Sequence, residues 1–195
     1  MHVLAVLAHP KKDATCSVLF FAAVEQLRTM GATVDVLDLY EHAENIPFLQ
    51  IPAPGKSMES MMIDVPFYWE NKERFMAADR LLLAYPVWWY SVPGILKAWL
   101  DLIGNYAWRF TGGNHAKALH HIQKVAVINT AGMSWWYRLI GTRNSATEMV
   151  KESCKFLSIP GFKAYELNST KKLTASKLAL HHASVAKVIT WLAKS

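Results

Sequence analysis

The sequence predicts an open, doubly wound α/β fold, a five-stranded parallel sheet with helices on both faces. Three observations carry this expectation. The runs His2-Val3-Leu4-Ala5-Val6-Leu7-Ala8, Leu81-Leu82-Leu83-Ala84 and Lys124-Val125-Ala126-Val127-Ile128-Asn129-Thr130 are continuously apolar, the mark of strands buried on both faces. Segments of helical period separate the strands, and parallel neighbours need such crossovers. Finally, the loops after the first, third and fourth strands carry the distinctive motifs of the chain, and a doubly wound sheet of order 2-1-3-4-5 places its ligand crevice at those strand ends.

Taken in order, the first strand runs into a polar loop, His9 to Ser17, and Val18 to Met30 reads as a helix burying Leu19, Ala22, Ala23 and Leu27. A loop between a buried strand and a helix N-terminus suits an anion, because free backbone N–H groups and the helix dipole both favour negative charge. Thr15 and Ser17 either add hydroxyls to such a site or simply cap the helix. His9 is either a ligand contact or a strand-end residue bonded to backbone. Gly31 ends the helix, and Ala32 to Asp38 is the second strand. Residues 39–66 lack periodicity and hold four prolines up to and including Pro66, a length of loop that tends to be functional. Phe67 to Ala78 is the second helix, and Asp79-Arg80 leads into the third strand.

The stretch Tyr85-Pro86-Val87-Trp88-Trp89-Tyr90-Ser91-Val92-Pro93-Gly94-Ile95-Leu96-Lys97-Ala98-Trp99-Leu100-Asp101 is a strand end, an aromatic turn and a helix start. Pro93 falls in the first turn of that helix, where a missing N–H is harmless. Ile95, Leu96, Trp99, Leu100 and Ile103 form its apolar face. Three large rings at a strand carboxyl end suit a flat conjugated ligand. Tyr106 to Asn114 reads as a loop from its glycines. After the fourth strand, Ala131-Gly132-Met133-Ser134 lets backbone approach a ligand closely. Thr147 to Leu157 is a helix, Pro160 to Leu167 contains the fifth strand, and Thr174 caps a closing helix that runs to about Ala193.

Composition narrows the function. At 195 residues the chain is expected to form a single domain over 1–195, with 52% hydrophobic residues arguing against disorder. No apolar run reaches the roughly 18–20 residues that span a bilayer. Residues 1–8 go straight into a strand pattern, so no secretory signal is expected. Cys16 and Cys154 are too few for a disulfide framework, and a cytoplasmic location follows. The net charge of +6 is scattered, without a basic run, so no nucleic-acid partner is expected; it suits anionic pyridine nucleotides better. His115, His120, His121, His181 and His182 have no carboxylate or cysteine at useful spacing, so no metal site is expected. Eight tryptophans are many for this length, and Trp69, Trp108, Phe110, Trp135 and Trp136 in prospective loops point to a homodimer interface.

The pattern Pro-x-x-Trp-Tyr-x-Val-Pro-x-x-Leu-Lys-x-Trp-x-Asp, with Ala8-His9-Pro10 before it and Thr130-Ala131-Gly132, Tyr137 and Gly141 after it, resembles the NAD(P)H:quinone oxidoreductases. That flavodoxin-like group includes the ancillary flavoproteins of potassium-efflux systems. The resemblance covers about residues 1–165. It implies a flavodoxin-like sheet, a bound flavin (FAD or FMN), NAD(P)H as donor, a quinone-like acceptor, and a two-fold dimer with the site at its seam. It also implies that residues 39–66 cover the neighbouring site, where Met58, Met61 and Met62 form an adaptable wall or plain packing. The flavin contacts it implies are His9, Thr15, Cys16, Ser17, Pro86, Val87, Trp88, Trp89, Tyr90, Thr130, Ala131, Gly132 and Tyr137. Backbone N–H groups around Trp88, Trp89 and Tyr90 would face N5 and O4, and Gly132 and Tyr137 the N1–O2 edge, where donors act as an oxyanion hole does. Tyr137 and Arg143 are the catalytic candidates. Arg143 stands where many members have His, and it cannot relay a proton at neutral pH; it either stabilises anionic reduced flavin or hydroquinone, or makes a surface salt bridge. Ala14-Thr15-Cys16 replaces the usual Ser-Phe-Asn. The expected activity is ping-pong two-electron hydride transfer to quinones or similar acceptors. The alternative is a flavoprotein regulatory subunit docking on a membrane transporter. A one-electron carrier fits less well, because it usually shows partners an acidic face and this chain is basic.

Overall fold

The structure, a computed structural model, describes residues 1–112, 115–170 and 174–194. Five parallel strands, β1 (His2–Leu7), β2 (Thr33–Asp38), β3 (Arg80–Pro86), β6 (Lys124–Thr130) and β7 (Gly161–Leu167), pair in the order β2-β1-β3-β6-β7. This is the expected 2-1-3-4-5 sheet. Side chains alternate across it with period two. Leu4 and Val6, Leu81 and Leu83, Val125 and Val127 face one core, while Val3, Ala5 and Leu7, Leu82 and Ala84, Ala126 and Ile128 face the other. Both faces are covered, which is why these strands read as unbroken apolar runs.

On one side lie α1 (Thr15–Thr29) and α7 (Ala175–Ala193), packed through Leu19, Phe20, Leu27, Val185, Ile189 and Leu192. The Thr174 hydroxyl caps α7 by accepting the Lys177 N–H, as expected. On the other side lie α3 (Pro66–Ala77), α4 (Gly94–Tyr106) and α6 (Ser145–Phe156). Pro66 opens α3, and Pro93 is the N-cap residue of α4, with Gly94 its first helical residue. Trp99, fully buried, donates to Asn71 Oδ1 at 3.0 Å and so ties α4 to α3. Residues 39–66 contain only a 3₁₀ turn at Leu39–His42 and the short α2 (Met58–Met61), so the absence of periodicity was a true signal.

Three elements depart from expectation. The stretch read as a loop from Tyr106 to Asn114 instead carries β4 (Trp108–Gly112), which pairs antiparallel with β5 (His115–Ala118). Glycine is a signal shared by hairpins and irregular loops; Gly113, Asn114 and the side chain of Phe110 lie outside the described residues. The helix α5 (Trp135–Ile140) was not expected at all. Trp69 and Trp108 are not loop residues facing solvent. Trp69 is half-buried in α3 and donates to the Met62 carbonyl at 2.9 Å, and Trp108 meets Phe156 edge-on at 5.0 Å.

Candidate functional site

The carboxyl ends of β1, β3 and β6 bring three loops together. The first is the β1–α1 loop. Ala14, whose side chain cannot cap, occupies the N-cap of α1, so neither Thr15 nor Ser17 is the cap. The amides of Thr15, Cys16 and Ser17 therefore belong to the unpaired first turn of a 15-residue helix. They border a cleft of about 290 Å³ lined by His9, Ala14, Thr15, Cys16, Thr130 and Thr170. The Ser17 hydroxyl is not offered to this cleft: it is buried and donates to the Lys11 carbonyl at 2.7 Å, folding the loop. Burial pushes the Cys16 thiol up to about 12 against the opposing hydrogen bond of Thr130, so it stays protonated and acts by shape, not as a nucleophile. Burial likewise holds the His9 imidazole below its ordinary range; its Nδ1 accepts the Lys11 N–H at 3.0 Å.

The second loop follows β3. Pro86 ends the strand, and the Val87 N–H donates to the Thr130 carbonyl at 2.7 Å. Trp88 and Ser91 exchange two backbone hydrogen bonds of 3.0 Å each. Trp89 (φ 49°) and Tyr90 (φ 63°) between them are both left-handed, the geometry of a tight primed turn. Two consecutive non-glycine residues in this region are costly. The Trp88 N–H is thus committed to Ser91, not to a ligand. The Trp89 and Tyr90 N–H groups have no protein acceptor among the described residues, and the Trp89 ring is 92% exposed.

The third loop follows β6. The Ala131 N–H donates to the Leu167 carbonyl at 2.8 Å and its carbonyl accepts from Thr170, so Ala131 joins the frame and does not face the crevice through its amide. Gly132 is exposed beside it. Tyr137 projects from α5, its hydroxyl 3.5 Å from that of Tyr90, and that neighbour holds the Tyr90 hydroxyl above its ordinary range. Ser145 donates to the Tyr90 carbonyl, closing the link between second and third loops. The His9 and Trp88 rings, 6.2 Å apart, link the first to the second. Arg143 (φ 50°) is exposed and, among the described residues, makes no salt bridge.

One residue of the region was missed. Arg138, next to Tyr137, is 2% exposed. Its guanidinium donates to Asn129 Oδ1 (2.6 Å), Thr147 Oγ1 (3.1 Å) and Asn168 Oδ1 (3.2 Å), and pairs with Glu166 Oε1 at 3.0 Å. Burial lowers its pKa, and Glu166 opposes that shift. The only sequence signal was a charged residue inside an aromatic run. A six-residue helix is too short to declare such a residue's inward face by period.

The geometry defines the class: a doubly wound α/β protein whose crevice pairs the open first-turn amides of a helix with an aromatic turn that leaves two amides free among the described residues. A family model described as the flavodoxin-like fold matches residues 1–188, and the chain belongs to that family. Among curated relatives, the ribosyldihydronicotinamide dehydrogenase-like protein traD of Penicillium crustosum is 28% identical over 60% of this chain and 48% of its own length, so the match spans about half of that relative. FMN-dependent NADH:quinone oxidoreductase 2 of Burkholderia lata is 28% identical over 69% of this chain and 70% of its own. Among solved structures, an FMN-dependent NADH-azoreductase from Bacillus anthracis, in complex with FMN, superposes with a TM-score of 0.79 at 18% identity, covering 100% of both chains. At that identity the likeness shows the fold.

Proposed function

We propose that the chain is a flavin-dependent NAD(P)H oxidoreductase that reduces quinones or similar acceptors by ping-pong two-electron hydride transfer. The observation that carries this reading is the convergence of the α1 cleft, the Trp88–Ser91 turn and Tyr137 around one crevice. The residues fit a flavin. Unpaired helix-start amides suit its phosphate, and the open amides of Trp89 and Tyr90, with an exposed ring beside them, suit the edge of a flat heterocycle. The FMN named in two of the similar proteins supports the mononucleotide form. When bound, a flavin supplies the hydride chemistry.

The chain's own part is to bind, orient and stabilise charge. The Tyr137 hydroxyl is a donor at the crevice rim, and in this reading the exposed Arg143, on the turn after α5, adds a cation on the same side. The Thr130 carbonyl and the Val87 amide fix the spacing of the β3 and β6 loops. We further propose a homodimer. Phe156 is 58% exposed beside an apolar trough of about 540 Å³ that includes Leu49, Leu100, Trp108 and Met149, and Trp135 and Trp136 are both more than half exposed. Exposed aromatic and aliphatic side chains of this kind suit an interface.

Purified protein should be yellow, release FMN identified by mass, and show parallel-line kinetics with NADH or NADPH and a free quinone. Colourless protein that takes up neither FMN nor FAD overturns the reading. Bound flavin without turnover of free quinone favours the transporter-docking subunit. Sedimentation at micromolar concentration should give a dimer mass; a monomer would remove the interface.

A further inference from the structure

The helix α5 reverses the usual rule of burial. Trp135 (66% exposed), Leu139 (53%) and Ile140 (74%) face outward, and the one buried side chain is an arginine. A buried charge that loses its partners costs several kcal/mol, so Arg138 holds α5 only in the position where its partners meet it. Those partners come from separate elements: Asn129 from β6, Thr147 from α6, Glu166 from β7 and Asn168 just beyond it. Thr147 in turn accepts from Asn129 at 2.9 Å and donates to Glu166, so each polar group of the cluster is matched. The backbone of Arg138 is equally engaged. Its carbonyl accepts the Thr142 hydroxyl at 2.8 Å and the Asn144 N–H at 3.0 Å, bracketing Arg143.

We infer that Arg138 is the positioning residue that sets the Tyr137 hydroxyl against the Trp88–Tyr90 turn. It touches no ligand; it acts through its neighbours. The proposal rests on the flavin reading only for its kinetic consequence.

The test replaces the planar fork by a single ammonium, Arg138→Lys, which keeps the charge near Glu166 but cannot reach Asn129, Thr147 and Asn168 together. Two readouts are used on the whole protein, with Asn168→Ala as a milder second variant should the lysine variant fail to fold. The first is stopped-flow reduction of bound flavin by NADPH. Arg138→Lys should slow it about 10-fold with little change in KM, and in a Tyr137→Phe background it should add no further loss, because both changes remove the same contact. The second needs no flavin. The Cζ resonance of 13C-labelled Tyr90 is followed against pH, and Arg138→Lys should lower the Tyr90 transition as Tyr137→Phe does. Losses that multiply in the double variant, together with an unmoved Tyr90 transition, overturn the proposal. If wild type takes up no flavin, the functional reading fails, and the Tyr90 titration alone decides the role of Arg138.

Discussion

Two walls of the crevice are built on opposite principles. The turn after β3 is held by backbone, through Val87 to Thr130 and the double bond between Trp88 and Ser91, while its side chains stand in solvent. The wall after β6 is held by one buried side chain and its four polar partners. Each wall also carries two successive left-handed residues, Trp89-Tyr90 and Arg143-Asn144. The difference teaches where sequence matters. The first wall should tolerate changes of side chain and resist changes of backbone; the second should fail on the loss of a single side chain.

The largest expected effect breaks the second wall. Arg138→Met leaves the half-buried Glu166 without its cation and Asn129, Thr147 and Asn168 without a donor, and should cost about 2–3 kcal/mol of stability, the scale of hydrogen bonds to a charged group. Urea unfolding measures it; a loss under about 1 kcal/mol would mean that the polar cluster contributes little. Next, Tyr137→Phe and Arg143→Ala should each slow flavin reduction by about 10-fold, less than the roughly 10²–10³ of an enclosed oxyanion hole, because both groups are partly wet. The Arg143→Ala loss should be constant from about pH 6 to 9, whereas Arg143→His should introduce a pH dependence near its ordinary pKa of about 6.5. Unaltered stopped-flow rates would leave the first wall as the whole of the site.

A smaller effect of opposite sign tests the backbone-held wall. Trp89 sits at φ 49° with its ring almost wholly in water, so Trp89→Gly relieves strain and forfeits little packing. Thermal unfolding should show a gain of about 1 kcal/mol, the scale of the left-handed penalty. Retained flavin binding would confirm that the amide rather than the ring makes the contact. The smallest effect concerns His9, which leans on Trp88. Burial lowers its folded pKa; the backbone hydrogen bond with Lys11 opposes the shift, as do Asp13 and Asp38, while the charge of Lys11 adds to it. The unfolded chain then takes up the proton first as pH falls, so stability is lost from about pH 6.5 downward to the folded pKa, and is unaffected above that window. His9→Asn should flatten this slope in urea melts between pH 7.5 and 5.5; an unchanged slope would place the titrating group elsewhere.

What could be read in the sequence follows the same division. Strands buried on both faces announce themselves as runs, and so β1, β3 and β6 were placed to within a residue or two. The aromatic turn was legible because its prolines and rings are local signals. Hydrogen-bond partners were not. Nothing in the chain says that the Ser17 hydroxyl turns back to Lys11, that the Trp88 N–H closes on Ser91, or that Ala131 is tied to Leu167, because those acceptors are chosen by the folded backbone. Arg138 was hidden for a related reason: its partners lie on three other elements, and by composition alone it reads as surface. The β4–β5 hairpin reads as a loop in the sequence because glycine is a signal of both.

The strand order has a kinetic side. No two neighbours in the main sheet are joined by a tight turn. Their partners stand roughly 30 to 80 residues apart, the widest gap being between β1 and β3, where Val3 meets Arg80. Each pairing must close a long loop before any ladder bond rewards it. The first strand, β1, flanked by β2 and β3, therefore completes its bonding only after the whole segment between residues 39 and 79 has been gathered. That places folding at the slower end for mixed α/β proteins, on a scale of milliseconds or longer. It also leaves the unpaired edge of β1 exposed in the interval, so the continuous apolar run that makes the strand easy to read also makes the half-folded chain prone to self-association.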